Sequence, residues 1–462
     1  MAATEKERER EMLTAFCAQA RKIMSEEERF LKDGAGCKIG IESEVAIYDE
    51  TLAPCRYEEK RDALIGAVPG MADVELGAAQ VEFRTSPVDV AAEGGYERLA
   101  NEYKCTFASI LSAAHDQGCS ILRSGANPFL PVLNTPRTNR VKYQVVPDFY
   151  NQHRPKDKDT LIGLGRYRVN IGDAAVVTLF QSFQVNLEAR SFFDACAKMN
   201  RSFFIAPYLL AMSGNARYLS RFDSRMNDVR MMAWERSHDT RMSDLRLLAW
   251  GKSFDLRNQE DVGAGLALRV GLPGRYFTGI EDYFNRMARF PFIMHQPEAA
   301  LKIAIGMTWL DARVKFIDDS AVVELRLLST QPTIEEELLL TLLYLGRLKD
   351  SETRNEPLLP MSCVRENRLL AMLYGRRCKM WFLSDDGATE RLPYGIGMRR
   401  EIGRSRQGLE ELGLAGLLDE ELLERNIRAG SPSDRLAERL GCEECVGRDD
   451  MRDGLRELGM LV

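Results

Sequence analysis

The sequence predicts an α+β fold in which an antiparallel sheet is flanked by helices. Three observations lead there. Strand-like segments alternate apolar and polar residues, the period of a sheet with one packed face and one open face. Amphipathic helical segments lie between those strands rather than between unbroken apolar runs of the parallel type. From about Asp385 onward Gly, Arg, Glu and Leu dominate and no strand pattern is visible. The 462 residues therefore divide into an N-terminal helix (1–36), one large α+β domain (37–384) and a helical C-terminal subdomain or tail (385–462).

Taken in order, Glu5 to Lys32 reads as a charged amphipathic helix stopped by Gly34-Ala35-Gly36. Cys37 to Tyr48 reads as a strand, and Val74 to Arg84 as a strand pair interrupted at Gly77. Tyr96 to Gln117 is a helix with Gly118 as its stop, and Ser120 to Gly125 a short strand before the Asn127-Pro128 turn. Asn134 to Val169 is polar and weakly periodic, which predicts a long loop with a short helix, suited to a lid or cleft wall. Val176 to Glu188 reads as one strand, and Phe192 to Asn215 as a helix kinked at Pro207. Met307 to Phe316 and Ser320 to Leu328 form a hairpin about Asp318-Asp319. Thr333 with Glu336 three residues on is a capping box for the next helix. A ten-residue unit, Arg225 to Trp234, recurs as Arg241 to Trp250, so either copy could place Arg and Trp at a cleft.

Composition narrows the function. Hydrophobic residues are 45% of the chain and charged residues 29%, enough for a sizeable core. Against 69 Asp and Glu stand 63 Lys and Arg, a net charge of −6, which leaves no basic footprint for nucleic acid. No apolar run approaches a membrane span or follows the polar N-terminus as in a signal peptide, so a cytoplasmic protein without membrane partners is expected, as monomer or homodimer. Ten scattered cysteines fit reduced thiols, with Cys442 and Cys445 a lone Cys-x-x-Cys. Four histidines make a His-rich metal site a poor reading, so any metal would rest on carboxylates, favouring Mg²⁺ or Mn²⁺. Of the four, His238 is best placed to line a cleft.

The informative feature is parity, because residues two apart on a strand share a face. Glu42 and Glu44 lie opposite Ile41, Val45 and Ile47. Gln80, Glu82 and Arg84 lie opposite Val81 and Phe83. Ser182, Gln184, Asn186 and Glu188 lie opposite Phe183, Val185 and Leu187, and Glu324 and Arg326 opposite Val323, Leu325 and Leu327. One such strand is an ordinary wet sheet surface. Four of them crowd carboxylates that repel unless a cation sits between them. A divalent metal resolves this, and Arg84, Arg313 and Arg326 could hold anionic oxygens by forked hydrogen bonds. Carboxylates, Arg and no His or Cys nucleophile suit phosphoryl transfer, yet neither a P-loop nor a protein-kinase signature is present.

Gly40-Ile41-Glu42-Ser43-Glu44, Val74-Glu75 and Gln80-Val81-Glu82 resemble the opening metal-binding strands of the glutamate–cysteine ligase superfamily. Gln184-Val185-Asn186-Leu187 is similar to a strand of its plant and proteobacterial type. Met212-Ser213-Gly214-Asn215 followed by Arg230 and Trp234 matches the family's order, and Trp309 to Arg313 and Val323-Glu324-Leu325-Arg326 look like its closing strands. The turn from Glu75 to Glu82 is one residue longer than the family's and lacks its Pro and second Gly.

The resemblance implies a glutamine-synthetase-like catalytic domain, a curved antiparallel sheet holding ATP and Mg²⁺ or Mn²⁺. It implies ligation of a carboxylate to an amine through an acyl phosphate, with glutamate as the acid and cysteine or another amine as the partner, hence a place in glutathione biosynthesis for the cysteine case. A non-catalytic relative that binds nucleotide or amino acid is the alternative. By the same resemblance Glu42, Glu44, Glu75, Glu82 and Glu324 would be metal ligands, and Gln184 stands where some branches place a His ligand. Arg313 and Arg326 would contact phosphate or the substrate carboxylate. Arg230 and Trp234 would lie near the glutamate or nucleotide pocket, and Lys142-Tyr143 on the cleft wall.

Overall fold

The computed structural model describes residues 2–33, 38–53, 58–132, 136–153, 161–164, 167–238, 269–290, 292–441 and 443–462. Its centre is an eight-stranded sheet whose strands we number in chain order: β1 (Lys38–Tyr48), β2 (Ala72–Val74), β3 (Gln80–Arg84), β4 (Val88–Asp89), β5 (Ser120–Leu122), β6 (Phe183–Ala189), β7 (Ala312–Ile317) and β8 (Ser320–Leu325). The sheet order is β7-β8-β6-β1-β3-β2, with β4 and β5 also paired to β1. Every pairing within it is antiparallel. The eleven residues of β1 make it the spine, long enough to pair β3 and β4 along one edge and β6 and β5 along the other.

Parity holds in three dimensions. Ile41, Val45, Val81, Phe83, Val185 and Val323 are buried on one face, each contributing about 1.5–3 kcal/mol by leaving water. Beneath them run α2 (Gly95–Asp116), α3 (Phe192–Ser213) and α4 (Ile334–Thr353), while α1 (Ala2–Ser25) packs on the helical segments at Pro297–Ala299 and Ala300–Gly306. Nearly every residue of α3 is buried, because it lies between the β6–β8 strands and α4. Thr333 and Glu336 close the expected capping box at the start of α4, an arrangement that contributes about 1 kcal/mol. Helix α5 (Tyr394–Glu411) packs along α4 at backbone distance, since a Cβ on Gly408 would stand 1.9 Å from the Gly346 carbonyl oxygen. No described helix is long and apolar enough to cross a membrane.

Several expectations are corrected. The N-terminal helix stops at Ser25, and a separate short 3-10 turn follows at Glu27–Phe30. The strand expected over Val176 to Glu188 is a 3-10 turn at Ala174–Leu179 and then β6. The Asp173 side chain accepts the Ala175 N–H and winds the chain there, although Val176 and Val177 are β-branched. The polar loop over 134–169 includes the helix Val141–His153 and a hairpin, Leu161–Leu164 with Tyr167–Asn170. The strand expected from Met307 breaks at Asp311: Trp309–Leu310 pairs in parallel with Val270–Gly271, and β7 begins after it. The region beyond Asp385 does hold a strand, Thr389–Pro393, which pairs with Lys379–Leu383. Residues 460–462 also return to the main sheet beside β5, where Ile121 N donates to Val462 O at 2.7 Å. The repeat copy at Arg241 to Trp250, with Arg246, and Cys442 lie outside the described residues.

Candidate functional site: a carboxylate-lined cavity on the open sheet face

A cavity of about 480 Å³ lies over the polar face. Register explains its lining. Glu44 stands opposite Glu82, and Glu42 opposite Arg84 on one side and Gln184 on the other. Glu324 stands opposite Asn186 and Arg313. Besides Arg84, twelve of the residues assigned a metal, phosphate or substrate role line the cavity directly: Glu42, Glu44, Glu75, Glu82, Lys142, Tyr143, Gln184, Arg230, Trp234, Arg313, Glu324 and Arg326. Asn186 lines an adjoining cavity of about 440 Å³, which shares Glu42, Arg84 and Lys315 with the first.

Three carboxylates form a cluster. Oxygens of Glu44, Glu75 and Glu82 all lie within 4.8 Å of one another. Glu75 reaches the cluster from the loop after β2, held by Leu76 N at 2.5 Å. Tyr143 fixes the same edge by donating to Val74 O at 3.1 Å, and the Lys142 ammonium lies 4.4 Å from the Tyr143 ring centroid. Glu44 accepts from Ser182 N (2.7 Å), Ser182 Oγ (2.8 Å) and Gln184 Nε2 (3.2 Å). Burial and then the Glu75 charge push the Glu44 carboxyl up to about 7. Burial raises Glu75 as well. Glu82 is raised well above the usual range by burial and by Glu42, Glu75 and Glu44. Hard oxygen donors crowded in this way fit Mg²⁺ or Mn²⁺, because a divalent ion relieves both the repulsion and the desolvation cost.

The opposite wall has the reverse balance. Glu324 Oε2 accepts from Arg313 Nε and, at 2.6 Å, from Arg326 Nη1, while its Oε1 accepts from Lys315 Nζ at 2.7 Å. Burial opposes its ionisation, yet the three cations hold it well below the usual carboxylate range. Arg326 also donates to Gln184 Oε1 at 2.9 Å, so Gln184 joins the two walls. Arg313 Nη1 is engaged by the carbonyls of Ile305 (3.1 Å), Gly306 and Thr308 (both 3.2 Å). Asn186 Nδ2 donates to Glu42 Oε1 at 3.1 Å. Arg230 is buried and donates to Leu327 O, and among the described residues its Nε has no hydrogen-bond partner. Arg84 reaches Gly70 O at 3.3 Å and faces both cavities.

Sequence reasoning missed three charged lining groups, Asp73, Lys302 and Lys315. Lys315 had a signal: it lies two residues from Arg313 on the same strand and so shares its face. His238 is buried beside Trp234 and Trp309, at centroid distances of 4.7 and 5.5 Å, instead of lining the cavity. Cys445, Cys363 and Cys378 are free thiols.

Fold and site together define a class: an α+β protein whose open antiparallel sheet face lines a cavity with carboxylates and guanidinium groups. Residues 38–386 match glutamate–cysteine ligase family 2, and the chain belongs to that family. In structure it is similar to the glutamate–cysteine ligase of Francisella tularensis in complex with AMP, with a TM-score of 0.55 and 13% identity over 93% of this chain and 89% of that one. It is also similar to a bifunctional glutathione synthetase from Pasteurella multocida, with a TM-score of 0.49 and 10% identity over 91% of this chain and 52% of that one. No curated protein matches it significantly in sequence. The fold is the curled antiparallel, glutamine-synthetase-like type that the resemblance implies.

Proposed function

We propose that this chain is an ATP-dependent carboxylate–amine ligase that forms an amide through an acyl phosphate, with glutamate as the acid and cysteine as the amine. The observation that carries this reading is the Glu44–Glu75–Glu82 cluster facing Arg230 and Arg326 across one cavity. Carboxylates for a divalent cation and guanidinium groups for anionic oxygens are the parts phosphoryl transfer requires. Family membership supports a carboxylate as the phosphorylated group. The AMP bound by the Francisella tularensis enzyme supports a nucleotide in the cavity.

In this reading Glu44, Glu75 and Glu82 hold Mg²⁺ or Mn²⁺, which when bound neutralises charge on phosphate oxygens. Arg326, oriented by Glu324 and Gln184, binds oxygens of the acid or of the transferring phosphoryl group. Arg230 offers a buried Nε that has no hydrogen-bond partner among the described residues, and Lys142, which also lines the cavity, offers a charge. A carboxylate oxygen of the acid attacks the γ-phosphorus and ADP leaves. The amine nitrogen then attacks the acyl carbon, phosphate leaves, and the nitrogen gives up a proton to water. Val146, Phe180, Met231, Trp234 and Trp309 supply apolar lining, which keeps water from the acyl phosphate and offers rings for the adenine base. A cytoplasmic location accords with ATP as co-substrate.

The test is ADP release with Mg-ATP, L-glutamate and L-cysteine, with products read by mass spectrometry. Formation of γ-glutamylcysteine is the expected result. ADP release with glutamate but without the cysteine adduct would replace the amine. No ADP release with any amino-acid pair, with Mg-ATP still bound, would favour a non-catalytic relative.

A further inference from the structure

The resemblance gives five carboxylates to metal, but the structure treats them unequally. Glu44, Glu75 and Glu82 bring their oxygens together, and among the described residues none of the three forms an ion pair with Lys or Arg. Both oxygens of Glu324 are already matched by protein cations, Oε1 by Lys315 and Oε2 by Arg313 and Arg326. Glu42 is the link: its Oε1 lies 3.5 Å from Lys315 Nζ and accepts from Asn186 Nδ2 at 3.1 Å.

We propose that Lys315 is a built-in cation standing where a second divalent ion would otherwise bridge Glu42 and Glu324, so that the chain binds metal at the Glu44–Glu75–Glu82 set alone. The ammonium of a Lys is a compact point charge with three donors on a flexible stem, able to bridge two carboxylates as a small ion does. A divalent ion placed between Glu42 and Glu324 would have to displace it. The ion would then meet two guanidinium groups bonded to the same Glu324 carboxylate, a repulsion that the partly enclosed site does not screen. Register makes the placement deliberate. β7 and β8 are hairpin neighbours, so Lys315, one pleat beyond Arg313, reaches Glu324 on the adjoining strand. Lys315 lines both the main and the adjoining cavity, so the side chain stands at this point of the site whether or not metal is bound. The inference rests on the metal reading of the site given above and specifies it.

The test is Mn²⁺ binding to the full chain without nucleotide, followed by the electron paramagnetic resonance signal of free Mn²⁺. The wild type is expected to bind a single ion per chain. Lys315→Met keeps the stem and removes the charge, and is expected to open a second Mn²⁺ site that Lys315→Met/Glu324→Gln loses again. Lys315→Arg is expected to stay at one. Glu324→Gln alone is expected to leave the count at one, which keeps the test decisive if Lys315→Met does not fold. Two or more ions on the wild type, or a folded Lys315→Met that still binds one, would overturn the inference and leave the ligase reading standing. No ion on the wild type would overturn the inference together with the metal assignment beneath it, whereas ligase assays address the reaction separately.

Discussion

Glu44 and Glu324 project from the same face of one sheet and both line the same cavity, yet they are opposite kinds of acid. Burial and Glu75 push Glu44 up to about 7. Glu324 is buried too, but Arg313, Arg326 and Lys315 keep it ionised far below the usual range. The difference teaches that the sheet is sorted by charge. Its β1–β3–β2 half gathers the oxygens of Glu44, Glu75 and Glu82, none of them ion-paired to Lys or Arg among the described residues, and is left needing a positive ion. Its β7–β8 half is neutralised from within and needs none.

The largest expected effect breaks the acidic half. Glu82→Gln removes one carboxylate of the cluster and should lower kcat by about 10³-fold, the scale of losing one preorganised electrostatic group at a reacting centre. Because it also relieves repulsion, its melting temperature in EDTA should be no lower than the wild type's. A lower one would sink the repulsion argument. Glu324→Gln tests the other half and should do the reverse to stability. It leaves Arg313, Arg326 and Lys315 crowded without their counter-charge, at a cost of about 3 kcal/mol in urea unfolding. Equal stability losses in the two variants would erase the contrast between the halves.

A pH titration sharpens the same comparison. Glu44 rises from 4.5 to about 7 on folding, so between those values the folded chain holds a proton that the unfolded chain has lost. As far as this group is concerned, metal-free stability should therefore be full below pH 4.5 and should fall as pH rises from 4.5 toward 7. Melting curves in EDTA would show it, and saturating Mg²⁺ should restore the stability at pH 7.5. Metal must displace that proton, so Mn²⁺ affinity should increase by about tenfold per pH unit below 7. A flat affinity profile from pH 5.5 to 7.5 would contradict the acidity assigned to Glu44. The smallest effect is that of Ser182→Ala. It deletes the 2.8 Å hydrogen bond to Glu44 Oε1, worth about 1 kcal/mol. That should move the affinity profile upward by about 0.7 pH unit and leave Glu324 unaffected.

Much of this was legible in the chain. Glu42 and Glu44 alternate with buried Ile41, Ser43 and Val45, and the same alternation recurs in β3, β6 and β8. The helix cap at Thr333 was equally plain, because its partner is three residues away. The failures were of two kinds. The Val176-Val177 segment satisfies strand propensity, but Asp173 winds it into a turn. Lys315 carried the right parity but no sign of its second target, since Glu42 belongs to another strand far away in sequence.

That division has a physical reason. The face on which a strand residue lies follows from a backbone period of two, a local property that the sequence alone determines. So do capping boxes and the left-handed turn at Asp318, with φ 51°, which joins β7 to β8. The acidity of a carboxylate depends on which charges stand within a few ångströms through space, and that depends on strand order. The order β7-β8-β6-β1-β3-β2 sets Glu324 among cations and Glu44 among acids. The sequence settled that these residues share one side of the sheet; the tertiary pairing alone decided which of them are left needing a metal.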